Sequence, residues 1–131
     1  MNEKSQYEDK QENIRNLKTP QIEVFANIYA DKEYTVYLEI PEFTAVCPRT
    51  GLPDFGTIFI EYVPYKVCLE LKSLKEYFMF YRDIGIFHEN VVNKALDDLI
   101  NAANPRLMKL TAEYNVRGGI KTKVERTYRA G

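Results

Sequence analysis

The sequence predicts an α+β domain, an antiparallel sheet carrying two helices on one face, because its apolar residues recur first with period two, then with a helical period, then with period two again. The first alternation sets Tyr34, Val36, Leu38 and Ile40 against Thr35, Tyr37 and Glu39, a half-buried strand that Pro41 is expected to end. Residues 55–63 and 66–71 read as the next two strands, broken at Pro64. Between the first and second lies Cys47-Pro48-Arg49-Thr50-Gly51-Leu52-Pro53-Asp54, whose two prolines and glycine demand a shaped loop. The period changes at Ser73-Leu74-Lys75-Glu76, a capping-box pattern, and a short helix to about Arg82 follows. Beyond Gly85, the residues Val91, Val92, Ala95, Leu96, Leu99, Ile100 and Ala103 form one apolar stripe on a second helix, which ends near Asn104-Pro105. Met108, Leu110, Ala112, Tyr114 and Val116 then alternate, Gly118-Gly119 turns the chain, and Ile120, Thr122 and Val124 return it as a C-terminal hairpin.

With 131 residues, 45% hydrophobic and 28% charged, the chain is long enough for one domain with its own core. Residues 1–20 are rich in Lys, Glu, Gln and Asn and are expected to form a flexible arm outside that core, leaving residues 21–131 as a single domain. A net charge of −1 supplies no basic field for direct nucleic-acid binding. No apolar run is long enough to span a bilayer and the first residues are polar, so a cytoplasmic location is expected. Two cysteines, Cys47 and Cys68, are too few for a disulfide framework. With His88 as the sole histidine and no C-x-x-C spacing, no metal site is expected.

Cys47 stands in the loop, where reactivity is favoured, whereas Cys68 sits in the apolar run Val67-Cys68-Leu69, where packing is favoured. A cysteine nucleophile needs a partner to manage its proton, and the rigid loop is able to fold Asp54 back toward the sulfur. From spacing alone, a packed loop thiol beside an ordinary turn carboxylate reads equally well. His88-Glu89 opens the second helix, and Glu89 suits either the positive end of the helix dipole or a ligand with two adjacent donors, such as a guanine-like base. His88 is the side chain that titrates nearest neutrality. Lys72 and Lys75 at the first helix start suit a phosphate or a solvated face. No G-x-G-x-x-G or Walker loop is present, so a dinucleotide would have to bind outside a Rossmann unit.

Three segments become specific together: Pro41-Glu42-Phe43-Thr44-Ala45-Val46-Cys47-Pro48-Arg49-Thr50-Gly51-Leu52-Pro53-Asp54-Phe55, then Glu70-Leu71-Lys72-Ser73-Leu74-Lys75-Glu76-Tyr77, then Gly85-Ile86-Phe87-His88-Glu89. In this order the chain resembles the single-domain 7-cyano-7-deazaguanine reductases of queuosine biosynthesis from about Ile22 to Tyr128. The resemblance implies a tunnelling fold like that of GTP cyclohydrolase I, with subunits closing into a homo-oligomeric ring, a pentamer or a decamer of stacked pentamers, and sites between neighbours. It implies a small deazapurine substrate, NADPH as hydride donor and a covalent thioimide. By motif, Cys47 is then the nucleophile and Asp54 the proton donor, Leu69, Glu70, Leu71, His88 and Glu89 are substrate-site positions, and Lys72, Lys75 and Arg117 bind the cofactor. The competing readings are a metal-dependent tunnelling-fold purine or pterin hydrolase, a cysteine hydrolase acting on a nitrile or amide, and a non-catalytic purine-binding protein.

Overall fold

The computed structural model describes residues 8–131. Its centre is a four-stranded antiparallel sheet in the order β2 (Val36–Val46), β3 (Pro53–Val63), β5 (Leu107–Tyr114), β6 (Lys123–Arg129). A second sheet pairs the short β1 (Val24–Ala26) with β4 (Val67–Leu69). Helix α1 (Leu71–Met79) runs into a 3-10 turn, Phe80–Asp83, and α2 (His88–Ala103) follows. Because side chains alternate across a strand, Asp54, Gly56, Ile58, Ile60 and Tyr62 all point to one face of β3. The register sets Gly56, Ile58, Ile60 and Tyr62 beside Tyr114, Ala112, Leu110 and Met108 of β5. The buried faces of both helices complete this core, with Leu74, Tyr77 and Phe78 from α1 and Val91, Val92, Ala95, Leu96 and Leu99 from α2.

The expected elements occur in the expected order, preceded by a strand, β1, that no alternation announces, and four further details differ. β2 continues through Pro41, because the register shifts between Ile40 and Phe43 and leaves Pro41 outside the pairing on an outermost strand, where its missing N–H costs no ladder bond. Helix α1 is not started by the Ser73–Glu76 box. Glu70 caps it, accepting from Lys72 N at 2.9 Å and Ser73 N at 2.7 Å, while the buried Ser73 hydroxyl donates to Glu70 O and accepts from Glu23 N. The third expected strand is cut short, since residues 70 and 71 already belong to the cap and the helix. Lastly, the described part of the expected arm contributes to the core. A 3-10 helix, Glu8–Asn16, buries Ile14, and Leu17 packs beside it. Residues 1–7 of that segment lie outside the described residues. α2 ends as expected, with Asn104 left-handed at φ 42° and its N–H on Ile100 O. Among the described residues no helix is long and apolar enough to cross a membrane.

Candidate active site

Three chain reversals meet at one end of the four-stranded sheet. The β2–β3 hairpin tip, residues 47–52, is closed by Cys47 N to Leu52 O at 2.8 Å and Gly51 N to Cys47 O at 2.9 Å. The segment entering α2 pairs with the end of β2 through Val46 N to Ile84 O and Ile86 N to Val46 O, both 3.0 Å, which places His88 and Glu89 beside that tip. The third is the turn Arg117-Gly118-Gly119-Ile120 between β5 and β6, closed by reciprocal backbone bonds of 3.0 and 3.1 Å. Its glycines at φ 59° and 80° occupy the left-handed region, which a side chain would strain. A cavity of about 220 Å³ lies among the three, lined by Cys47, Asp54, Phe87, His88, Glu89 and Arg117, with Pro48, Ile120 and Thr122.

Asp54 takes the first inward position of β3 and is therefore buried. A buried carboxylate needs partners. Its Oδ1 accepts from Arg117 Nη1 at 2.7 Å and its Oδ2 lies 3.2 Å from His88 Nε2. The same Arg117 also donates to Pro53 O at 2.7 Å and Thr50 Oγ1 at 3.2 Å, so one guanidinium spans the carboxylate and the cysteine loop. The His88 imidazole lies flat on the Tyr114 ring, 3.6 Å between centroids at 6°, which fixes its orientation. Tyr114 reaches that position because its neighbour in the register is Gly56, where a Cβ would meet Glu113 O at 2.5 Å. Burial, then the charges of Asp54 and Glu89, hold the Tyr114 phenol far above its usual range, and its hydroxyl has no hydrogen-bond partner among the described residues.

Cys47 is half-buried. Burial pushes its thiol up, and Asp54 adds to that, but hydrogen bonds from the Thr50 hydroxyl and the backbone N–H groups of Thr50 and Arg49 outweigh both and leave it below the ordinary value. Sulfur and carboxylate thus sit in one cavity, with the histidine on the carboxylate. Glu89, in the first turn of α2, is exposed and makes no side-chain hydrogen bond to a described residue, leaving both oxygens open to the cavity.

The expected site residues divide into two groups. Cys47, Asp54, His88, Glu89 and Arg117 come together; Arg117, grouped by motif with Lys72 and Lys75, is on Asp54 instead. Leu69, Glu70, Leu71, Lys72 and Lys75 stand elsewhere on the subunit. Leu69 is buried at the end of β4, and Leu71 is exposed beside it on an apolar groove with Phe25, Tyr34 and Val36. The Glu70 carboxylate is held below its usual range by the N–H groups of Ser73 and Lys72 that it caps. Lys72 and Lys75 are exposed on α1, and Lys75 lines a further groove with Glu39, Phe78 and Arg82. Thr50 and Tyr114 were not singled out in the sequence. Thr50 lay inside the cysteine motif and was readable as a hydroxyl near the sulfur, but the Tyr114 contact depends on strand register, which no local pattern displays.

The likeness to a solved structure and the family match make this α+β fold a tunnelling fold, and the cysteine, the carboxylate–histidine pair and the open glutamate at the end of its sheet form a cysteine-centred candidate active site. The overall likeness is to the crystal structure of the archaeosine synthase QueF-Like in the apo form, with a TM-score of 0.69 and 25% identity over 74% of this chain and 95% of that one. The chain belongs to the QueF-like protein family, whose profile matches residues 53–130. It is 53% identical to the NADPH-dependent 7-cyano-7-deazaguanine reductase of Chloroherpeton thalassium, over 87% of this chain and 98% of that protein. It is 57% identical to the protein of the same name from Chlorobaculum tepidum, over 82% of this chain and 92% of that one.

Proposed function

We propose that the chain is a cytoplasmic NADPH-dependent reductase that converts 7-cyano-7-deazaguanine to 7-aminomethyl-7-deazaguanine in queuosine biosynthesis, through a covalent thioimide on Cys47. The observation that carries this reading is the single cavity shared by Cys47, Asp54, His88 and Glu89. The family membership and the names of the relatives support it.

The residues act in an order set by their chemistry. Glu89 offers two acceptor oxygens to the adjacent N1–H and 2-amino donors of the base and so orients the nitrile toward the sulfur. The Cys47 thiolate adds to the nitrile carbon, forming a C–S bond, and the nitrile nitrogen takes up a proton as one C–N π bond is spent. That proton comes from the Asp54–His88 pair. Arg117 holds one oxygen of the Asp54 carboxylate and His88 touches the other, so donor and imidazole are in direct contact beside the sulfur. The resulting thioimide accepts hydride more readily than the nitrile does. NADPH, when bound, would supply two hydrides, one to the thioimide carbon and one to the imine left when the C–S bond breaks and Cys47 regains its thiolate. Two exposed ammonium groups, Lys72 and Lys75, on the first turns of α1 suit the phosphates of such a cofactor.

A second subunit completes the pocket in this reading. Bringing the Leu69–Lys75 segment of one copy against the Cys47 cavity of its neighbour reunites the two groups of residues, and the outer strands β2 and β6 offer the unpaired edges for it. The test is to follow NADPH absorbance with the cyano-deazaguanine as substrate. Two NADPH oxidised per amine formed is the expected result. Ammonia released without NADPH oxidation would replace this reading with nitrile hydrolysis.

A further inference from the structure

Gln11, Ile14 and Leu17 follow one another at intervals of three, in a stretch where Glu12, Asn13, Arg15 and Asn16 are exposed. A 3-10 helix sets residues three apart directly above one another, so the inner face of Glu8–Asn16 carries Gln11 and the buried Ile14 together. Ile14 anchors that face in the core, and Lys94 Nζ clips the segment to α2 by donating to Arg15 O at 3.3 Å. Thus placed, the Gln11 amide reaches the start of α2. Its Nε2 donates to Gly85 O at 2.8 Å, and its Oε1 accepts from Phe87 N at 3.2 Å and from Asn90 Nδ2 at 2.9 Å. These partners bracket His88 and Glu89 on both sides. In a capping box the third helical residue accepts from the N–H of the cap residue. Asn90 holds that position in α2, but it donates to Gln11, and Gln11 takes Phe87 N in its place.

We propose that Gln11 is a positioning residue for recognition of the base, its amide fixing the angle at which the first turn of α2 presents Glu89 and His88 to the Cys47 cavity. This rests on Glu89 being the acceptor for the N1–H and 2-amino donors of the base. Gln11 stands outside the cavity lining and acts through the backbone it holds. The need for such a hold is local. Backbone pairing with β2 stops at Ile86, and the first residues of a helix, whose N–H groups have no partner within it, open most readily. A carboxylate that meets two adjacent donors must keep both hydrogen bonds near linear. A tilt of that first turn therefore weakens the base contact while the hairpin tip that carries Cys47, closed by its own backbone bonds, stays as it is.

The experiment compares Gln11→Ala and Gln11→Met with the parent in steady-state NADPH oxidation, varying the cyano-deazaguanine and NADPH in turn. Methionine keeps the length and packing of the side chain and removes all three hydrogen bonds. Both variants are expected to raise KM for the base by about tenfold, with KM for NADPH and the saturated kcat unchanged, the pattern of an interaction made equally in ground and transition states. Calorimetric affinity for the base in a Cys47→Ala background, without NADPH, should fall by the same factor. If the alanine variant does not fold, the methionine variant carries the comparison. A methionine variant with the KM of the parent reduces Gln11 to packing and overturns the proposal, and so does a parallel rise in KM for NADPH, which would report a general loosening. A parent that neither binds the base nor oxidises NADPH sinks the reductase reading and the proposal with it, whereas a parent that turns over beside Gln11 variants of unchanged KM sinks the proposal alone.

Discussion

At the scale of single residues, the cavity separates two cysteines that composition alone treats alike. Cys47 meets hydrogen-bond donors in a hairpin tip, whereas Cys68 is buried in β4, 3.6 Å from the Tyr34 hydroxyl. Incubation with cyano-deazaguanine and no NADPH is therefore expected to add the mass of the base to the parent and to Cys68→Ala, and to leave Cys47→Ala unmodified; an adduct on that variant by intact mass spectrometry would reassign the nucleophile. Tyr114 invites a different test. Its ring supports His88 but its buried hydroxyl lacks a partner among the described residues, and an unsatisfied buried hydroxyl costs about 1–3 kcal/mol. Tyr114→Phe keeps the ring, so its thermal midpoint at fixed protein concentration should equal or exceed that of the parent. A clear loss would reveal a partner for the hydroxyl.

At the scale of elements, the two helix starts are held by side chains that sequence patterns did not nominate. The Ser73–Glu76 pattern fits a capping box, but Glu70 lies where the chain leaves β4 and its carboxylate caps the N–H groups of Lys72 and Ser73, so the helix starts before that box can act. Its stabilisation follows its charge. Because the folded carboxyl lies below its unfolded value, the stabilisation is fully present above the ordinary carboxylate range and fades as pH falls through the lowered folded value. The difference in thermal midpoint between the parent and Glu70→Ala should accordingly be widest near neutrality and close in acid. A constant gap would point to packing instead. α2 has no side-chain cap of its own at Phe87. Gln11 takes that place from a remote segment, its Oε1 accepting from Phe87 N at 3.2 Å and Asn90 Nδ2 at 2.9 Å while its Nε2 donates to Gly85 O at 2.8 Å. Gln11→Ala should cost about 1 kcal/mol locally, seen as faster amide exchange at residues 87–90 with the β3–β5 core unchanged. Exchange unchanged at residues 87–90 would show that the start of α2 holds itself.

At the scale of the whole molecule, what was legible and what was not divide by range. The element order, the C-terminal hairpin and the end of α2 were visible because period and turn chemistry are local properties, carried by residues such as Gly118, Gly119 and Asn104. Pro41 misled because a proline ends a strand only where its N–H is wanted, and being outermost is a property of the sheet. β1 and the burial of Ile14 were missed because one pairs with a strand some forty residues away and the other is an isolated apolar residue in a polar stretch. The site was legible as a set of motif residues. The Asp54–His88–Tyr114 stack and the Arg117 bridge were not, because they depend on register. The remaining expectation concerns assembly. With β2 and β6 as open edges and Tyr37 on β2 71% exposed, sedimentation at micromolar concentration should report a closed homo-oligomer, by resemblance a pentameric ring or two such rings stacked. A fully active monomer would contradict the shared pocket.

If a second subunit completes the pocket as proposed, the separation of the Cys47 group from the Leu69–Lys75 group on one subunit would make defects in this protein complementable in trans. A subunit lacking Cys47 and a subunit lacking Lys72 and Lys75 each fail alone, but where the cavity of the second meets the α1 segment of the first, every needed side chain is present. Random assembly of equal amounts gives that pairing at about a quarter of the interfaces. Two inactive variants assembled together would then restore NADPH oxidation, while the same two defects placed on one chain would not.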